Sequence, residues 1–127
     1  MKGFCFCNAI HGTRITDSVL RGLVFRGVVA EDTDRTWGKY EIELPIIMYH
    51  SLLKYQKSTY IVHPNIFEED LKYIQSKGYS TITMTELINY VYNDAPLPEK
   101  PIIITFDDGY YNNLSYAVPL LHKYNHN

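Results

Sequence analysis

From Leu44 onward the chain alternates between short apolar runs and longer stretches in which apolar residues recur every three or four positions. The run 45–49 predicts a strand. Phe67, Leu71 and Ile74 then recur at helical spacing. Pro64 suits the first helical position, and Glu68, Glu69 and Asp70 sit toward the positive end of the helix dipole. His63, at the cap position of that helix, reads as a surface residue, and Gly78 closes the helix. Residues 79–82 predict a second strand, after which Thr83-x-x-Glu86 forms a capping box opening a helix with Met84, Leu87, Ile88 and Val91 on one face. These stripes read as core. Three prolines in 95–101 make a stiff connection into Ile102-Ile103-Ile104-Thr105-Phe106, a β-branched run predicting a buried central strand. Residues 112–124 predict a further helix in which Pro119 starts a new turn or kinks the old one. The stretch 51–62, polar and tyrosine-bearing, yields no assignment. Strand and helix alternating three times is the pattern of a parallel sheet with crossover helices.

The central strand ends in Asp107-Asp108-Gly109-Tyr110. Open α/β sheets and β/α barrels bind ligands at the carboxyl ends of their strands, so this is where such a fold would carry its chemistry. Two adjacent carboxylates there are costly unless a cation or hydrogen-bond donors compensate. The plainer reading is a solvated turn, with Asp and Gly present as turn formers. Against it, successive residues at a strand end point in different directions, so one carboxylate can hold a metal while the other faces a substrate. Among the five histidines only His122 and His126 pair at i, i+4, a spacing that places two ligands on one helix face. Their neighbours Lys123, Tyr124 and Asn125 point instead to a fraying, solvated helix end.

Composition changes the picture at one place. All four arginines precede Leu44 and eleven of the twelve tyrosines follow Tyr40, which divides the chain into an N-terminal segment, 1–43, of unclear origin and a domain, 44–127. One expectation is that the first segment is foreign to the domain. No uninterrupted apolar region of 7 to 15 residues follows Lys2, so a signal peptide is not expected there. The formal net charge is −2 with no basic run, which argues against nucleic acid, and no apolar stretch reaches the ~18 residues of a membrane span. Cys5 and Cys7 are spaced poorly for a mutual disulfide and supply half of a zinc knuckle.

Thr105-Phe106-Asp107-Asp108-Gly109 after an aliphatic run resembles the first motif of the polysaccharide deacetylases, carbohydrate esterase family 4 or NodB homology domain. Leu44-Pro45-Ile46-Ile47-Met48-Tyr49-His50 resembles the opening strand of the bacterial branch bearing Met-Tyr-His. The segments 67–71 and 77–83 match that branch's first helix and second strand. The resemblance spans about 44–125 and implies the N-terminal part of a distorted β/α barrel, truncated on its C-terminal side. It implies a hydrolase that removes N-acetyl or O-acetyl groups from a carbohydrate polymer, an acetylated polysaccharide or peptidoglycan-type glycan. It assigns Asp107 as general base and Asp108 as ligand of a divalent metal, usually zinc. The two histidine ligands and the general acid of the family fall outside this sequence, so the chain by itself is expected to be inactive. His50, Gly109 and Tyr110 have supporting places, His50 beside the same sheet end and the backbone around Gly109 and Tyr110 toward an oxyanion. The family usually works outside the cytoplasm, which leaves localisation open here. Two other readings stay open. A magnesium-dependent phosphoryl-transfer or phosphoacceptor domain also begins with acids at a strand end, and for it the sequence offers Lys123 only. The other is a non-catalytic remnant.

Overall fold

The computed structural model describes residues 10, 11, 15 and 43–126. Its elements in chain order are strands β1 (Ile10–His11), β2 (Ile46–Tyr49), β3 (Ser51–Leu52) and β4 (Ile61–Val62), helix α1 (Pro64–Ser76), strand β5 (Ser80–Thr81), helix α2 (Met84–Asn93), strand β6 (Pro101–Phe106) and helix α3 (Tyr111–Lys123). Four strands form one sheet in the order β1-β2-β6-β5, and all three pairings are parallel. The strand predicted to be central is central: β6 lies between β2 and β5, with Ile102 and Ile103 buried.

This order differs from a regularly wound barrel, where consecutive strands are neighbours. The crossover through α1 passes over the slot of β6 to reach β5, and the crossover through α2 returns. Right-handed crossovers that run in opposite directions place their helices on opposite faces of a sheet. The two cores have that arrangement. Ile47, Tyr49 and Ile102 pack with Phe67, Leu71 and Ile74 of α1 and Ala117 of α3, whereas Leu44 and Ile103 pack with Leu87 and Val91 of α2. The alternation of side chains along β2 and β6 sorts the apolar residues between those two layers.

Local chemistry explains the helix ends. His63, expected to be a surface residue, caps α1: its Nδ1 accepts from the Asn65 amide at 3.1 Å. The capping box of α2 is formed in full, with the Thr83 hydroxyl accepting from the Glu86 amide at 3.2 Å and the Glu86 carboxylate accepting from the Thr83 amide at 2.6 Å. Those bonds, the Thr83 amide first, hold the Glu86 carboxyl below its ordinary range. Gly78, at φ 77°, ends the α1 turn as its sequence position predicts.

Several expectations need correction. The acids of α1 lie beyond its first turn and find partners elsewhere: Glu68 bonds Lys123 and the Tyr124 hydroxyl, each at 2.7 Å, tying α1 to the end of α3, and Asp70 is buried. The α2 stripe is only half core, since Leu87 and Val91 are buried while Met84 and Ile88 are exposed. Pro119 does not break α3, which runs unbroken over 13 residues. Ser115, whose carbonyl loses the amide partner, and Pro119 itself are both exposed, so water can replace the missing bond. The unassigned stretch 51–62 contains the small parallel pair of β3 and β4. The N-terminal segment lies mostly outside the described residues; of the three described, Ile10 and His11 pair with β2, and the Ile15 amide donates to Asp70.

Candidate active site at the carboxyl end of the sheet

The parallel register of β2 and β6 sets Tyr49 opposite Phe106. One residue further on, the Asp107 amide donates to the Tyr49 carbonyl at 2.8 Å, so the ladder extends to the first acid of the pair and brings His50 to the same sheet end. Tyr49 and Phe106 are fixed below that end by each other and by Phe67, with ring centroids 4.9 to 5.7 Å apart. The two strand ends therefore rest on a packed aromatic floor.

Past Asp107 the chain turns sharply. Asp108 has φ 67° and Gly109 φ 61°, two successive residues in the left-handed region. For Gly109 this conformation carries no steric penalty; for Asp108 it costs about 1–2 kcal/mol, tempered because Asp tolerates this region better than most residues. Local strain of this kind gathers at functional sites. Asp107 is half-buried and Asp108 exposed, so the two neighbours face different surroundings. Tyr110 is the N-cap of α3 and offers no side-chain bond to the first turn. Tyr110 and Tyr111 are exposed beside the acids.

Two residues that sequence reasoning passed over hold this end together. Asn113 Nδ2 donates to the His50 carbonyl at 2.6 Å, and Asn112 Nδ2 donates to the Ser51 hydroxyl at 2.7 Å. The first turn of α3 is thus pinned to the segment that follows β2. Each amide leaves its Oδ1 buried without a partner among the described residues, an arrangement that costs about 1–3 kcal/mol per group. The available signal was Asn113 itself, a polar residue four positions before buried Ala117 and so on the core-facing phase of α3.

The other candidate ligands disperse. His122 is exposed on α3, whereas His126 lies beyond the helix, after Asn125 at φ 53°, and is buried with Nδ1 3.3 Å from the Thr81 hydroxyl. Lys123 and Asn125 are exposed as the sequence suggests, while His126 beyond them is packed, and the two histidines do not share a helix face. Burial holds the His126 ring below its ordinary pKa. Lys123 sits at the far end of α3, about 18 Å along the axis from Tyr111, in an ion pair with Glu68. A phosphoryl-transfer site would need that lysine beside the acids. Among the described residues no group of three His, Cys, Asp or Glu side chains is placed to hold a metal. The carboxylates are suitable donors for a divalent cation, but they supply part of a ligand set only.

A parallel α/β sheet with paired acids at the carboxyl end of its central strand places these groups where open α/β sheets bind their ligands. Comparison with known proteins makes it specific. No family model matches the chain. Over 96 residues, 74% of the chain, it is 38% identical to "Putative polysaccharide deacetylase YxkH" of Bacillus subtilis, spanning about a third (34%) of that protein's length. A 63-residue stretch, 50% of the chain, is 27% identical to the poly-beta-1,6-N-acetyl-D-glucosamine N-deacetylase of Escherichia coli K12, of which it covers 9%. Among solved structures, the Streptococcus pyogenes deacetylase PplD, in complex with acetate, aligns with 67% of the chain and 40% of its own, at TM-score 0.60 and 27% identity. The chain carries part of a polysaccharide deacetylase domain, with the parallel strands and helices of those β/α-barrel deacetylases. Among the described residues no helix is long and apolar enough to cross a membrane.

Proposed function

We propose that this domain contributes the water-activating half of a metal-dependent deacetylase site that removes N-acetyl groups from a glycan. The observation that carries the reading is the Asp107 amide bonded to the Tyr49 carbonyl, which sets the Asp pair beside His50 at one sheet end. In this reading Asp107 accepts a proton from the water that attacks the acetyl carbonyl. The water oxygen bonds to the carbonyl carbon, the carbon–nitrogen bond breaks, and the amine takes up a proton from an acid outside these 127 residues. Asp108 supplies one ligand to zinc, which when bound acidifies water and polarises the carbonyl. The amides around Gly109 and Tyr110, at the start of α3, favour the negative charge that develops on the carbonyl oxygen. Asn113 keeps the chain at His50 in place through its carbonyl.

One Asp ligand does not replace three, so the 127 residues alone should release little acetate. The polypeptide carrying them together with the remainder of the domain should release acetate from acetylated glucosamine oligomers in a zinc-dependent manner. Absence of release from that longer polypeptide at saturating zinc would sink the reading.

A further inference from the structure

Eight large apolar or aromatic side chains are exposed among the described residues, and one of them, Tyr60, is held through both its backbone and its ring. It lies in the turn entering β4. Its amide donates to the Ser58 hydroxyl at 3.2 Å, and its carbonyl accepts from the Ser51 amide at 3.2 Å. Its ring packs on the His50 ring at 4.9 Å between centroids and 60° between planes, yet Tyr60 remains 54% exposed. His50 directly follows the Tyr49 carbonyl that binds the Asp107 amide, and Ser51 is bonded to Asn112 of α3. An aromatic ring is thus fixed at the rim of the proposed site by the same segment that positions the acids.

We propose that Tyr60 is a glycan-positioning residue, whose exposed ring stacks on the C–H face of a pyranose unit neighbouring the one presented to Asp107. The inference rests on the deacetylase reading and adds a binding subsite to it. A pyranose with equatorial substituents presents a flat apolar C–H face and a polar rim, and an aromatic ring supplies the matching apolar surface with a hydroxyl at its edge. Both backbone polar groups of Tyr60 are already bonded and its ring rests on His50, so little freedom remains to be lost on binding. Tyr55, 94% exposed, shows no such fixing contact among those described.

The test is binding of an N-acetylglucosamine tetramer to the 127-residue chain, by titration and by saturation-transfer NMR, with no metal added. Tyr60→Leu should weaken binding roughly tenfold and remove transfer to the ring C–H protons. Tyr60→Phe should retain both. Tyr92→Leu serves as control, because Tyr92 is 42% exposed in the last turn of α2, toward the opposite end of the strands. Matching thermal melts establish that the variants fold. Wild-type affinity in Tyr60→Leu, equal loss in Tyr60→Phe, or no binding by the wild-type chain would each overturn the inference. Its failure is distinguishable from that of the deacetylase reading: a Tyr60-dependent binder that releases no acetate as the longer polypeptide overturns the latter alone.

Discussion

Asp70 and the Asp107–Asp108 pair are carboxylates of one sheet-and-helix unit held under opposite conditions. Asp70 lies on α1 beneath the sheet, 4% exposed, accepting from the Tyr49 hydroxyl at 2.7 Å and from the Ile15 amide at 3.3 Å. Its surroundings answer it. Asp107 and Asp108 lie where the same sheet ends, one half-buried and one exposed, on a turn whose backbone is strained at Asp108. Both regions meet at Tyr49, whose side chain serves the buried acid and whose carbonyl holds Asp107. A buried acid with matched donors stabilises a fold; acids on a strained turn at a strand end are kept at a cost that stability alone does not explain.

The largest stability effect separating the two regions is expected at Asp70. Asp70→Ala leaves the Tyr49 hydroxyl and the Ile15 amide buried without this acceptor, and should destabilise by about 2–4 kcal/mol. Asp108→Ala should cost much less, about 1 kcal/mol or below, because alanine tolerates the left-handed backbone at φ 67° less well than Asp. Chemical unfolding of the two variants reads the difference directly, and equal losses would erase the distinction.

Alkaline pH gives a second, smaller separation. Burial first, then the adjacent Asp70 carboxylate, holds the Tyr49 hydroxyl well above the usual phenol range. The folded protein therefore keeps this proton above pH ~10, where the unfolded chain loses it. The contribution is fully present below that pH and is lost as pH rises past it. Unfolding midpoints at pH 8 and pH 11 should fall further apart in the wild type than in Tyr49→Phe.

The smallest effect is at the turn. A Cβ added at Gly109 meets nothing within 4 Å, so Gly109→Ala should cost only the backbone term at φ 61°, about 1 kcal/mol. A thermal shift corresponding to several kcal/mol would mean that the turn is more tightly packed than the structure indicates.

The sequence announced the ends of elements better than their partners. The capping box at Thr83 and Glu86, the stop at Gly78 and the run 102–106 each follow from interactions within a few residues, and each appears where its pattern predicts. Asp70 read as one of three acids favouring a helix dipole, because Tyr49 and Ile15 lie 21 and 55 residues away in sequence. Asn112 and Asn113 were missed for the same reason. Their bonds to Ser51 and His50 exist only once the end of β2 and the first turn of α3 are side by side. The exposed half of the α2 stripe was misread because helical spacing reports amphipathicity, while the width of the buried face depends on what packs against it.

With Asp107 as base and Asp108 as metal ligand the two adjacent acids do different work, and zinc content alongside acetate turnover in the complete domain separates them. Asp107→Asn should retain zinc and lose turnover by on the order of 10²–10⁴-fold, as removal of a general base does. Asp108→Asn should lose zinc first and recover part of its activity at high zinc. If both variants lost zinc equally, the division of roles between the two carboxylates would be wrong.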